Sequence, residues 1–152
     1  MPIRRLTAIR LAAKLRCQDG GLSVAKRLLM VDDNESFTRI TSRTAGLLGF
    51  TTKNCHEPDQ ALDAFLTFKP DVLMIDLCMP EKDGFDVANE ILLTGIPVAI
   101  IFVSGFGSSY LRMAEGVAKF HAHPNVSVLG KPFRRAELAE ALTKATASIA
   151  DG

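Results

Sequence analysis

The sequence predicts a doubly wound α/β domain, with a five-stranded parallel sheet and helices on both faces. Short apolar runs alternate with helical patterns five times, starting near residue 26. The runs do not alternate polar with apolar residues, so each strand is expected to be covered by helices on both sides. The length of 152 residues is ordinary for one such domain.

The first two strand–helix units occupy the segment up to residue 66. Lys26 to Val31 is predicted as a buried strand, and Glu35 to Leu48 as a helix that ends at Gly49. The apolar residues of that helix form a loose stripe: Phe37, Ile40, Ala45, Leu47 and Leu48. Thr51 to Cys55 is predicted as a short strand, and Pro58 suits the first turn of the second helix because it lacks a backbone donor. The core face of that helix is predicted as Ala61, Leu62, Phe65 and Leu66.

The other three units follow in the same alternation. Asp71 to Ile75 and Val98 to Val103 are continuous apolar runs, predicted as the third and fourth strands, with a helix over Phe85 to Leu93 between them. Ser108 to Phe120 is predicted as the fourth helix and Val126 to Leu129 as the last strand. The chain closes with a helix predicted over residues 134–149, whose core face is Leu138, Ala141, Leu142 and Ala145.

Charge is unevenly distributed along the chain. Residues 1–27 carry seven Lys or Arg and one acidic residue, whereas residues 28–152 carry eleven basic and sixteen acidic residues. An acidic body is a poor ligand for nucleic acid, so only the first segment could bind it. That segment, residues 1–25, is interpreted as a basic extension that is either disordered or a short helix.

Composition also argues against a membrane-spanning helix, a disulfide framework and a zinc site. No apolar stretch approaches the roughly 18 residues that a membrane-spanning helix requires. The three cysteines, Cys17, Cys55 and Cys78, are odd in number and contain no CxxC pair. A disulfide framework and a zinc site are therefore not indicated, and reduced cytoplasm is the simplest location.

Polar residues follow four of the five predicted strands. Asp32 and Asp33 follow the first strand, Asp76 the third, Ser104 the fourth and Lys131 the fifth. The carboxyl ends of parallel strands meet at one edge of the sheet, where ligands bind in such folds, so these side chains are expected to lie together. Asp and Ser are also common turn residues, but four matched strand ends are hard to explain as turns alone.

This set of residue types predicts phosphoryl-transfer chemistry. Three carboxylates at one site repel one another unless a cation lies among them, and Mg²⁺ is the first choice because it prefers oxygen ligands. Such an ion neutralises charge on a phosphoryl group during transfer. Asp76 is the candidate nucleophile, Lys131 would offset the remaining negative charge, and Ser104 would donate a hydrogen bond.

At these residues the sequence resembles the receiver domains of two-component response regulators, over about residues 26–149. The resembling motifs are LLMVDDN at 28–34, DVLMIDLCMPEKDGF at 71–85, FVSG at 102–105 and GKPF at 130–133. The resemblance implies a flavodoxin-like strand order, 2-1-3-4-5. It also implies a receiver domain over residues 26–152.

The resemblance implies roles for the acidic residues. Asp76 would receive the phosphoryl group from the phosphohistidine of a kinase. Asp33 would bind Mg²⁺ directly and Asp32 would assist, often through water. The backbone carbonyl of Cys78 would complete the protein ligands of the metal, together with Asp76.

The other motif residues are interpreted in the same way. Ser104 would contact the phosphoryl group and Lys131 would pair with it, with a cis peptide bond before Pro132 in the family pattern. Gly84 would allow a tight turn after the acceptor. Val128 departs from the pattern, because many receivers have Tyr or Phe there as an activation switch, so activation by an aromatic switch is in doubt.

The implied function is a single-domain response regulator and not an enzyme. A sensor histidine kinase or phosphotransfer protein would phosphorylate it. Some 20 residues follow Lys131, about enough for the final helix, so the signal is expected to pass to a separate effector protein. The face formed by the fourth helix, fifth strand and fifth helix would bind that effector.

Three alternatives stay open at this point. Val128 is compatible with a receiver-like interaction module that works without phosphorylation. A phosphatase with an aspartyl nucleophile generally needs a second acid two residues after it, and Cys78 stands there. A nucleic-acid binder acting through residues 1–25 has no recognition motif in its favour.

Overall fold

A computed structural model describes residues 25–105, 116 and 125–150 of the protein. Within them lie five strands: β1 (Arg27–Val31), β2 (Thr51–Cys55), β3 (Val72–Asp76), β4 (Ala99–Ser104) and β5 (Val126–Gly130). The helices in the same residues are α1 (Glu35–Leu47), α2 (Ala61–Phe68), α3 (Gly84–Leu92) and the closing helix α4 (Arg135–Ala150).

The strands form one parallel sheet in the order β2-β1-β3-β4-β5. This confirms the predicted doubly wound fold. The register pairs Val31 of β1 with Ile75 of β3, and Asp76 of β3 with Val103 of β4. All carboxyl ends therefore face the same edge, which we call the carboxyl edge.

Each face of the sheet carries its own apolar layer. The layer that includes Ile75 and Phe102 packs against α2 and α3, and the layer that includes Met74 and Val103 packs against α1 and α4. Every residue of β3 and β4 is buried, as the continuous apolar runs predict. On α4, three of the four predicted core residues are buried and Ala141 is partly buried.

Most element boundaries differ from the predictions by one residue. Asp76 and Ser104 are the last residues of β3 and β4, not the residues after them. Pro58 begins a 3₁₀ turn (Pro58–Gln60), and the second helix starts after it. The predicted fourth helix, Ser108 to Phe120, and the basic extension lie outside the described residues, except that Gly116 is helical and Ala25 is described.

The apolar stripe predicted for α1 is wrong in part. Ile40 and Leu47 are 66% and 69% exposed, and the helix faces the sheet with Thr38, Thr41 and Ala45. A buried hydroxyl is tolerated when it is hydrogen-bonded, and Thr38 Oγ1 donates to the carbonyl of Glu35 at 3.0 Å. Threonine thus replaces an aliphatic residue on this core face, which hydrophobicity alone does not predict.

Two glycines follow the ends of helices, Gly49 after α1 as predicted and Gly95 after α3. Gly49 and Gly95 have φ values of 95° and 73°, a conformation that residues with a Cβ adopt only at a cost. No helix among the described residues combines the length and apolar character needed to cross a membrane.

Candidate phosphoryl-acceptor site

The predicted site residues are delivered to the carboxyl edge by four neighbouring strand ends. Asp32 and Asp33 follow β1, Asp76 ends β3, and Ser104 ends β4. Lys131 follows β5, and its backbone N–H donates to the carbonyl of Ser104 at 2.7 Å. The alternation of strands and helices therefore brings together residues that lie up to 99 positions apart in the chain.

Three carboxylates lie together at this edge. One oxygen each of Asp32, Asp33 and Asp76 falls within 4.8 Å of the other two. Asp32 and Asp76 are buried, at 3% and 5% exposure, whereas Asp33 is exposed. The donor set consists of hard oxygen atoms with one side open to solvent, which suits a divalent ion that retains several waters, such as Mg²⁺.

Lys131 balances the two buried carboxylates. Its Nζ lies 2.7 Å from Oδ2 of Asp32 and 3.6 Å from Oδ2 of Asp76. The ammonium group also sits over the ring of Phe37, 3.9 Å from the centroid, where the face of the ring attracts a cation. The Lys131–Pro132 peptide bond is cis.

Backbone donors hold the remaining carboxylate oxygens. Asp76 Oδ1 accepts a hydrogen bond from the N–H of Cys78 at 3.1 Å, and Asp32 Oδ1 accepts one from the N–H of Asn34 at 2.9 Å. Asp76 and Asp32 are therefore fixed in orientation before any ligand arrives.

Two residues around the site have roles that the sequence analysis missed. Asn34 caps α1, because its side chain accepts from the N–H of Phe37 at 3.0 Å. Phe37 supplies the ring under Lys131. An Asn that opens a helix and an aromatic residue three positions later were visible signals for the cap and for the first turn, but not for the contact with Lys131.

The structure requires glycine at position 84 for a different reason from the one predicted. Gly84 is the first residue of α3 and does not have a positive φ. A Cβ atom built on Gly84 would overlap the carbonyl oxygen of Asp76 and lie 3.1 Å from its carbonyl carbon. Glycine is thus required for close approach of two backbones and not for a tight turn.

An open groove of about 440 Å³ borders the site on the α1 side. It is lined by Phe37, Ile40, Thr41, Gly105, Lys131, Pro132 and Phe133. The rings of Phe37 and Phe133 meet edge to face, with centroids 5.6 Å apart. The groove is therefore an apolar surface with the site lysine at one end.

The two cysteines in the described residues differ sharply. Cys55 is buried at the end of β2, donates to the carbonyl of Glu57, and burial raises the pKa of its thiol. Cys78 is exposed beside Asp76. Further along the loop after Asp76, Lys82 pairs with Glu90, and this hydrogen bond raises the pKa of Lys82.

Comparison with known proteins gives a consistent picture. A family model described as the response regulator receiver domain matches residues 28–143. Response regulator MprA of Mycobacterium avium (strain 104) is 30% identical over 112 residues, which cover 74% of this chain and 47% of that protein. The probable transcriptional regulator ycf27 of Guillardia theta is 32% identical over 94 residues, 62% of this chain and 37% of that protein. The chain thus spans less than half the length of these curated relatives.

A solved structure shares the fold. The chemotaxis protein CheY4 of Vibrio cholerae superimposes with a TM-score of 0.70 at 22% identity, covering 80% of this chain and 99% of that chain. At this identity the likeness concerns the fold, and it agrees with the observed strand order.

Proposed function

Because this chain belongs to the response regulator receiver domain family, we propose that it accepts a phosphoryl group on Asp76 in a Mg²⁺-dependent reaction and signals by binding other proteins. The observation that carries the proposal is the position of Asp76, buried at the carboxyl edge among two further carboxylates and the Lys131 ammonium. In doubly wound folds, ligands bind at the carboxyl ends of the strands, where this cluster of charged groups lies.

Four groups of this chain are proposed to hold the metal. They are the carboxylates of Asp32, Asp33 and Asp76 and the backbone carbonyl of Cys78. The open side at Asp33 supports this assignment, since Mg²⁺ retains waters and needs access to solvent. When bound, the ion supplies neutralisation of the charge on the phosphoryl oxygens.

Asp76 is proposed as the nucleophile. One of its carboxylate oxygens attacks the phosphorus of a phosphohistidine, so that an O–P bond forms and the N–P bond breaks. The electron pair of the broken bond remains on the imidazole nitrogen. The N–H of Cys78 holds Oδ1 of Asp76 at 3.1 Å and thereby keeps the carboxylate oriented for in-line attack.

Lys131 and Ser104 are proposed to hold the phosphoryl group after transfer. Lys131 already lies within 3.6 Å of Asp76, and its compact charge can pair with a phosphoryl oxygen. Ser104, 8% exposed at the end of β4, supplies a hydroxyl donor. The chemistry ends with this acyl phosphate and its slow hydrolysis, so we propose a signalling module and not a turnover enzyme.

The phosphoryl donor is proposed to be a sensor histidine kinase or a phosphotransfer protein. The groove beside Lys131 supports a protein donor, because Ile40 is 66% exposed there. Exposed apolar surface next to a reactive group is typical of a docking site. An acidic body, with sixteen acidic and eleven basic residues over 28–152, supports protein rather than nucleic acid as the partner.

The output is proposed to pass through the face that contains β5 and α4 to an effector protein. The helix predicted over Ser108 to Phe120 would complete this face, and apart from Gly116 it lies outside the described residues. The cytoplasm is proposed as the location, and the free thiols of Cys55 and Cys78 suit a reducing compartment.

A phosphorylation-independent interaction module is the second candidate. It is favoured by Val128, which offers a short branched side chain, 38% exposed, where a switch aromatic is expected. Partner binding measured with and without beryllofluoride, a mimic of the phosphoryl group, separates the two. Binding that changes with the mimic supports the switch, and identical binding supports the second candidate.

The direct test is incubation with acetyl phosphate and Mg²⁺, followed by intact-mass measurement. We expect one phosphoryl adduct in the wild type and in Asp63→Asn, a matched control on the exposed side of α2. Asp76→Asn is expected to give none, and omission of Mg²⁺ is expected to abolish the adduct. An undiminished adduct in Asp76→Asn would remove Asp76 from its role.

A further inference from the structure

The first residue of α3, Gly84, packs closely against the backbone of Asp76, the proposed phosphoryl acceptor. Gly84 packs so closely on the last residue of β3 that a Cβ would overlap the Asp76 carbonyl oxygen, with Ile75 Cγ2 at 3.1 Å. The Asp76 side of this contact is backbone, and Gly84 has no side chain that could rotate to absorb a shift. A displacement of the Asp76 backbone towards α3 would therefore press on the first turn of that helix.

Phe85, the next residue, carries a ring into the core from this same turn. Its N–H donates to the Asp83 carboxylate at 2.9 Å, which caps α3. Its ring packs on the fully buried Phe102 of β4, with centroids 4.9 Å apart and planes inclined at 57°. The ring is thus held from two sides, by the helix cap and by the strand that ends at Ser104.

A third contact lies at the tip of this ring, at its Cζ and Cε atoms. Gly116 is helical and buried, and a Cβ atom on it would overlap three atoms of the Phe85 ring. Glycine is a poor helix former, so its presence here requires a reason, and the ring occupies the space that any larger residue would need. Phe85 and Gly116 are therefore complementary in size.

We propose that Phe85 couples phosphorylation of Asp76 to the segment that contains Gly116. The path consists of two glycine contacts: Asp76 against Gly84, then the Phe85 ring against Gly116. Close-packed contacts transmit displacement because they leave no void to absorb it. Val128 of β5 pairs with Phe102 in the sheet register but has no ring. The ring that packs on Phe102 is that of Phe85, on α3. This inference rests on the function proposed above.

The test is hydrogen exchange of the full chain with Mg²⁺, in the presence and absence of beryllofluoride. In the wild type, we expect the mimic to change exchange in peptides that cover residues 106–124. In Phe85→Ala and in the milder Phe85→Leu, we expect at least half of that change to be lost, while the acetyl phosphate adduct on Asp76 persists. Phe68→Ala is the matched control, since Phe68 is also partly buried but packs on Arg27; it should behave as the wild type.

A size-swap variant separates coupling from general loosening of the core. Gly116→Ala alone is expected to reduce the response, because its methyl group displaces the Phe85 ring. Adding Phe85→Leu to Gly116→Ala makes room for the methyl group and is expected to restore the response. If the two substitutions acted independently, their losses of response would add. A full response in Phe85→Ala and Phe85→Leu, or no response around Gly116 in the wild type, would overturn the coupling. A wild type without an acetyl phosphate adduct would overturn the proposed function as well.

Discussion

Lys131 donates a hydrogen bond to Asp32 across the carboxyl edge, with 2.7 Å between Nζ and Oδ2. The same ammonium lies 3.6 Å from Asp76. One cation therefore offsets two buried carboxylates, while Asp33 remains exposed to solvent. A metal ion bound at these carboxylates adds positive charge beside the Lys131 ammonium, which already pairs with Asp32 and Asp76. The two cations therefore compete for the same carboxylates.

The first prediction concerns this competition. Replacing Lys131 by Met removes a positive charge near the metal ligands, so Mg²⁺ is expected to bind about tenfold more tightly, on the order of 1.4 kcal/mol. The yield of phosphorylated protein is expected to fall, since the acyl phosphate loses its cationic partner. Calorimetric titration with Mg²⁺ and intact-mass measurement check the two effects. Lys144→Met, at an exposed ion pair with Glu140, should change neither; equal Mg²⁺ affinity in the two variants would contradict the account.

The second prediction uses two glycines with opposite surroundings. Gly84→Ala places a methyl group against the Asp76 backbone, and we expect a loss of about 1–3 kcal/mol in the free energy of unfolding. Gly46→Ala, on α1 with nothing within 4 Å of the new atom, should gain about 0.5–1 kcal/mol. Urea unfolding measures both. A neutral Gly84→Ala would show that the contact with Asp76 is not tight.

The third prediction separates docking from chemistry. Ile40→Asp adds a charge to the apolar groove, and phosphotransfer from a histidine kinase that phosphorylates the wild type is expected to fall about tenfold. Labelling by acetyl phosphate should be unchanged, because this small donor needs no groove. Leu47→Asp is the control, since Leu47 is as exposed but does not line the groove. Equal losses in both variants would argue against docking at the groove.

The fourth prediction follows from the two thiols. In a Cys17→Ser background at pH 8, Cys78 is expected to react quickly with a thiol reagent, and Cys55 at least about a hundredfold more slowly, through local opening. Burial raises the pKa of the Cys55 thiol above its ordinary value, so less of it is thiolate at a given pH, and its reaction should need a higher pH than that of an ordinary thiol. Peptide mapping assigns each product. Equal rates would mean that the end of β2 is open to solvent.

The strand order and the meeting of Asp32, Asp33 and Asp76 could be predicted from the sequence. The strand order is what the resemblance to receiver domains implies, whereas the meeting of the carboxylates follows from the rule that parallel strands present their carboxyl ends at one edge. The predicted element boundaries are less accurate, because strands continue through Asp76 and Ser104. A polar residue at a strand end does not stop the backbone pairing with its neighbours.

Other features depend on contacts that no local pattern encodes. The buried face of α1 uses Thr38, whose hydroxyl donates to the carbonyl of Glu35, and Thr41, and it leaves Ile40 exposed. Gly84 and Gly116 are needed for what lies against them, the backbone of Asp76 and the ring of Phe85. Only the packed molecule reveals these neighbours.

The most direct test of the central claim is chemical localisation of the phosphoryl group. Borohydride reduces an aspartyl phosphate to homoserine, which peptide sequencing by mass spectrometry detects at a single residue. After treatment with acetyl phosphate and Mg²⁺, we predict homoserine at position 76 and unmodified carboxylates at Asp32 and Asp33. Homoserine at either of those positions, or at none, would contradict the account.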